Sequence, residues 1–141
     1  IIVVGCFAHL RRKFFDALKT LPKDKQPESN AQKGVDYCSS LFKYEQQFAS
    51  LDKDKRFKER QRLSKPMLDE FYIWIESLSP LPQSLLGKAV YYAKSQRKYI
   101  ERYLLDGSLE ISNNRAERSV KPYVIGRNYV LNHVMCCNGH Y

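Results

Sequence analysis

The chain has 141 residues, 43% of them hydrophobic and 28% charged, with 24 Lys and Arg against 15 Asp and Glu for a net charge of +9. That length holds one core with little room for a second, and the composition excludes a disordered tail. No apolar run approaches the roughly 18–20 residues of a membrane span, and the surplus of cations points to a polyanionic partner, nucleic acid foremost.

Ile1, Ile2, Val3 and Val4 form a short apolar, β-branched run of the kind that suits a strand buried on both faces of a sheet. The run is too short for a signal sequence and has no basic segment before it. A domain rarely begins at a central strand, so the expectation is that its sheet neighbours lie upstream. Cys6, Cys38, Cys136 and Cys137 are two isolated residues and one adjacent pair, which is no disulfide framework. Reduced thiols in a soluble, cytoplasmic protein are expected.

After Gly5 the period becomes helical. Phe7, Leu10, Phe14, Ala17 and Leu21 predict one helix, ended by Pro22 and a polar loop over residues 23–30. A second helix is expected over residues 31–51, with Val35, Cys38, Leu41, Phe42, Phe48 and Ala49 inward. Residues 52–63 are highly charged and read as a solvated helix, or one whose partner lies elsewhere. Pro66 opens a new helical segment with Met67, Phe71, Trp74, Ile75 and Leu78 on its apolar face. A long helix is expected over residues 83–105, striped by Leu86, Ala89, Val90, Ala93, Ile100, Tyr103 and Leu104. Asp106-Gly107 reads as a stop, residues 108–112 as short and extended, and a further helix starts near Asn114.

Three segments in this order carry a family resemblance. They are Gly5-Cys6-Phe7-Ala8-His9-Leu10-Arg11-Arg12-Lys13-Phe14, Leu85-Leu86-Gly87-Lys88-Ala89-Val90-Tyr91-Tyr92, and the stretch from Asp106-Gly107-Ser108 through Asn113-Asn114-Arg115-Ala116-Glu117-Arg118 to Lys121-Pro122. Together they resemble transposases of the insertion sequence 66 family, from about Gly5 to Arg127. The resemblance implies a DDE-type enzyme with an RNase H-like core, two catalytic aspartates and one glutamate, and a helical insertion before the glutamate. It assigns that glutamate to Glu117 and puts both aspartates N-terminal to this sequence. The implied fold is mainly α, a helical insertion or bundle attached to a strand and a terminal helix of an incomplete RNase H-like sheet. Its parts are a core strand at 1–6, a helical region at 7–105, the glutamate segment at 106–127 and a divergent tail at 128–141.

Phosphoryl transfer of this kind uses two divalent metals about 3.5–4 Å apart, Mg²⁺ or Mn²⁺, which stabilise the attacking and leaving oxygens. Glu117 would be a ligand, but one glutamate cannot hold the pair, so this stretch alone is expected to be inactive and to carry no bound metal. Spacing alone offers Glu117 another role, since Asn114 and Glu117 also fit a helix cap and its capping-box partner. The rival reading is a non-catalytic helical module that binds DNA or a protein.

Arg11, Arg12 and Lys13, with Arg115, Arg118, Lys121 and Arg127, are the candidate phosphate contacts, although three adjacent cations spread around a helix and can be merely solvated. Cys6-x-x-His9 resembles a family signature of unknown role, as do Asn113 and Asn114. With Cys137-x-x-His140 it has the spacing of a Cys₂His₂ zinc site, but a buried Cys6 and a hydrogen-bonded His9 are the simpler reading. Ser112 stands where the family more often has aspartate, and from about Asn128 the sequence leaves the family pattern. These departures read as a decayed element, a hypothesis that an intact upstream frame in phase with this one would defeat. An exposed strand edge at 1–4 would favour a homodimer.

Overall fold

A computed structural model describes residues 5–111. Their elements are α1 (Phe7–Lys19), α2 (Asn30–Phe48), α3 (Lys53–Glu59), a π turn (Arg60–Ser64), α4 (Lys65–Ser77), α5 (Leu85–Ser95), α6 (Arg97–Ile100) and a 3₁₀ helix (Glu101–Leu105). α1 lies at the centre, packed on α2 and on α5, and α2 also packs on α4.

The expected period is what builds the core. Phe7, Leu10, Phe14 and Ala17 are all buried along one stripe of α1, and Val35, Cys38 and Leu41 answer from α2. Phe71 and Trp74 of α4 complete an aromatic cluster with Phe14 and Tyr37, with ring centroids 5.4–6.2 Å apart and mostly edge-on or tilted. Those geometries match the ring quadrupoles and add to the area buried. Ser29, Asp52 and Ser84 cap α2, α3 and α5, each accepting a backbone N–H from the first turn.

Several expectations need correction. The fold was expected to include a strand and part of an RNase H-like sheet, yet the described residues are all helical, with no strand and no sheet. Residues 1–4, and with them the expected core strand and the dimer through its edge, lie outside the described residues. Gly5 and Cys6 are not extended into a ladder. Gly5 N–H donates to the Tyr99 carbonyl at 2.7 Å and Phe7 N–H to the Ile111 carbonyl at 3.2 Å, single bonds to helical and irregular chain.

The charged stretch at 52–63 is not simply solvated. α3 itself buries nothing, but Arg60 is 2% exposed. Pro66 falls in the first turn of α4, as expected, but α4 is not a separate helix, because the backbone runs from Lys53 through Ser77 as α3, π turn and α4. Proline lacks an N–H and crowds the carbonyl four residues back, and the π turn immediately before it widens the ladder there, with Lys65 N–H bonding to Arg60 five residues back.

The long helix expected over 83–105 breaks at Gln96 (φ −100°, ψ 4°), then continues as α6 and the 3₁₀ helix. The tighter turns bring Ile100, Tyr103 and Leu104 all inward. The residues at 108–111 are turn and bend, not extended strand. No helix among the described residues is long and apolar enough to cross a membrane.

Candidate functional site

The three sequence segments that stand out converge on α1. Cys6 occupies the N-cap position of α1 but makes no side-chain cap bond, so the first amide of the helix takes the carbonyl of Ile111 instead. The first and third segments therefore meet at one end of α1, and the second, on α5, packs along its side. Two glycines of these segments sit where nothing larger fits. A Cβ on Gly87 would lie 2.1 Å from the Leu81 carbonyl oxygen, and one on Gly107 would lie 1.9 Å from that of Lys53.

The chain leading into the third segment is held by an arginine clamp. Arg60 donates through Nε and NH2 to the two Glu45 oxygens at 2.9 and 2.6 Å, and through NH1 to the carbonyls of Tyr103 and Asp106 at 2.7 and 3.0 Å. Its guanidinium also lies 4.9 Å from the Tyr103 ring centroid. Gln61 reaches the Leu104 carbonyl at 3.0 Å, and Arg56 reaches those of Leu51 at 2.7 Å and Gly107 at 2.8 Å. The last carbonyls of a helix lack partners within it, and here three side chains of one neighbouring helix supply them. Asp106 accepts from the backbone N–H and the hydroxyl of Ser108, both at 2.8 Å, and those bonds hold its carboxyl below the usual range. Sequence reasoning missed this clamp because charge pattern does not say which arginine has a buried partner.

The expected basic cluster is divided. Ala8, Arg11, Arg12 and Phe15 share one face of α1 at i, i+3, i+4, i+7 spacing, and Ser39, Phe42, Lys43 and Gln46 share the facing stripe of α2. Between them runs an open groove of about 660 Å³. Arg11 Nε donates to the Ser39 hydroxyl at 3.1 Å. Neither Arg11, Arg12 nor Lys43 forms an ion pair among the described residues, whereas Lys19, Arg60, Arg62, Lys65, Lys94 and Arg97 each have a carboxylate. Lys13 is turned away from that groove, its ammonium 5.1 Å from the Tyr92 ring centroid, beside a second groove along α5. Lys43 was invisible to sequence reading, since a lone lysine on α2 gains meaning only when α2 is laid against α1.

Cys6 is fully buried and His9 is half-buried in the first turn of α1. Cys38 is a buried thiol whose pKa burial pushes up to about 12, against a smaller opposite pull from Arg11. The remaining candidates, Asn113, Asn114, Arg115, Glu117, Arg118, Lys121, Arg127, Cys137 and His140, lie outside the described residues. Among the described residues no three His, Cys, Asp or Glu come together as metal ligands.

Comparison with known proteins places a family on this frame. The family described as Transposase IS66 family matches residues 1–134. The uncharacterized protein y4qI of Sinorhizobium fredii (strain NBRC 101917 / NGR234) is 31% identical over 127 residues, covering 89% of this chain and 23% of that protein. Two more from the same strain, y4hP and y4jD, are 28% and 29% identical, each over 86% of this chain and 24% and 23% of theirs. The chain thus spans about a quarter of the length of the curated relatives it matches. No solved structure matches.

Proposed function

The chain belongs to the IS66 transposase family, and from that premise we propose that it is part of a DNA transposase of DDE type, handling DNA through the basic groove between α1 and α2. The observation that carries the DNA-handling part is the trio Arg11, Arg12 and Lys43 on one concave surface, with no carboxylate paired to any of them among the described residues. Like charges gathered without counter-ions cost stability unless an anion is the purpose, and phosphates are the anions a transposase meets.

Glu117 is the carboxylate this stretch contributes to cleavage and strand transfer, with Arg115, Arg118, Lys121 and Arg127 as further phosphate contacts. Divalent metal, Mg²⁺ or Mn²⁺, supplies stabilisation of the attacking and leaving oxygens when bound. The described residues offer no ligand set for it. Its other ligands, the two aspartates of the family pattern, are assigned to sequence outside these 141 residues, so the isolated stretch is silent in cleavage. What the described body contributes is support: the clamp of Arg56, Arg60 and Gln61 and the Phe7–Ile111 bond fix the chain six residues before Glu117.

The test is DNA binding by this chain across a salt series. A steep fall of affinity with salt is expected, unchanged by Glu117→Ala and flattened when Arg11, Arg12 and Lys43 are neutralised together. In a full-length transposase containing these residues, Glu117→Ala should abolish cleavage and leave DNA binding intact. Absence of binding even at low salt would reduce the +9 charge to a solubility feature.

A further inference from the structure

Building on the nucleic-acid reading above, we infer that the α1–α2 groove is a site for unpaired nucleotides, with phosphates on the arginine–lysine trio and a base on Phe15. A duplex phosphate contact needs only donors and cations. This site is a concave, open groove of about 660 Å³ between two helices. It also holds an aromatic ring left partly open to solvent, since Phe15 is 41% exposed while its neighbour Phe14 is fully buried.

The spacing makes the combination usable. Phe15 follows Arg11 by four residues and Arg12 by three, so all three side chains rise from adjacent turns of one helix face. One side of the Phe15 ring is approached by Lys19, whose ammonium is 5.2 Å from the centroid. Lys19 is itself neutralised by Asp16 at 3.3 Å. Lys43 faces the two arginines and Phe15 from α2, and Ser39 holds Arg11 by its Nε, leaving the terminal nitrogens of that guanidinium for an anion. Cations that follow a backbone beside a ring that stacks on bases are the two parts of a single-strand site. In a duplex the base faces are already stacked on one another and offer nothing to Phe15. An acidic peptide would use the cations but has no planar group for the ring.

The experiment is fluorescence anisotropy of the full 141-residue chain with a short labelled oligothymidine and, separately, with a labelled duplex of the same length. Wild type should bind the single strand more tightly. Phe15→Ala should weaken oligothymidine binding at least about fivefold and leave the duplex nearly unchanged. Neutralising Arg11, Arg12 and Lys43 should lower the slope of log affinity against log salt by about 2 on the single strand, at roughly 0.7 per phosphate. Lys58→Ala, at an exposed cation on α3, should do neither. Phe15, Arg12 and Lys43 are exposed, and melting curves of the variants check that they remain folded. Equal loss on both probes with Phe15→Ala, no loss with it, or displacement of the oligonucleotide by polyglutamate as readily as by unlabelled strand would each overturn the groove assignment while leaving DNA binding in place. Failure to bind either probe would overturn the nucleic-acid reading together with it.

Discussion

Arg60 and Glu45 form a two-point ion pair, Nε to Oε2 at 2.9 Å and NH2 to Oε1 at 2.6 Å, with the arginine 2% and the glutamate 14% exposed. An arginine this deep is tolerated because its donors are taken up by fixed acceptors, two of them main-chain carbonyls at the end of the 3₁₀ helix. The pair ties α2, the π turn and the chain at 103–107 into one joint.

Breaking that joint from one side is expected to be severe. Arg60→Ala strands the Glu45 carboxylate and the Tyr103 and Asp106 carbonyls, a loss of about 3–5 kcal/mol by the usual cost of a half-removed buried pair. Arg60→Lys should recover only part of it, because a point charge cannot serve both the carboxylate and the carbonyls. Urea denaturation of the two variants measures this, and a near-wild-type midpoint for Arg60→Ala would show that the pair is not buried in solution.

Gly87→Ala and Gly107→Ala each place a methyl against backbone and not against a movable side chain. Overpacking of this kind costs about 1–3 kcal/mol. A lowered Tm for both variants is expected in thermal melts. Ala at the exposed position of Lys58 should leave the Tm essentially where it was.

Cys38 should resist alkylation while the protein is folded. Its pKa is raised, so the stability linked to this thiol is fully present below the unfolded value near 9. That stability is lost as pH climbs toward about 12. Tyr72 and Tyr103 are raised in the same direction, chiefly by burial, and add to the alkaline limb. Peptide-resolved iodoacetamide labelling at pH 8 should find Cys38 unmodified in buffer and modified in denaturant. Rapid labelling in buffer would contradict its burial.

Asp106 works the opposite way. Its pKa is lowered by the Ser108 bonds, so the stabilisation is present above the unfolded value and lost as pH falls through the folded one. Asp106→Asn should therefore weaken the acid limb of the pH–stability curve and leave the region above pH 6 nearly parallel to wild type. A series of denaturant melts from pH 2 to 7 reads it.

Lys13 and Lys43 separate the two arrangements of the basic cluster. Lys43→Ala should lower the salt slope of duplex binding by about 0.9, whereas Lys13→Ala, removing a cation that lies over Tyr92, should leave it near wild type. The reverse pattern would mean that adjacency in sequence, not the groove, defines the surface.

Much of the helical body was legible because helix periodicity is local. The stripe of Phe7, Leu10, Phe14 and Ala17 needs only a repeat near 3.6 residues to announce its buried face. The family, too, was written in ordered motifs that survive as strings. The expectation of a strand and an RNase H-like sheet is not met among the described residues, since a strand is defined by the partner that takes its hydrogen bonds. At Gly5 and Phe7 those partners are Tyr99 and Ile111.

By itself, then, the sequence determined a mainly helical, strongly basic chain of the transposase family. Tertiary structure alone decided which charges are buried and which are gathered. Arg60 and Arg12 are equally cationic as letters; one is consumed by Glu45 and two carbonyls, and the other faces a groove with Lys43. Charge is a property of a residue, but its neutralisation depends on distances between helices, and those are set only when the helices pack.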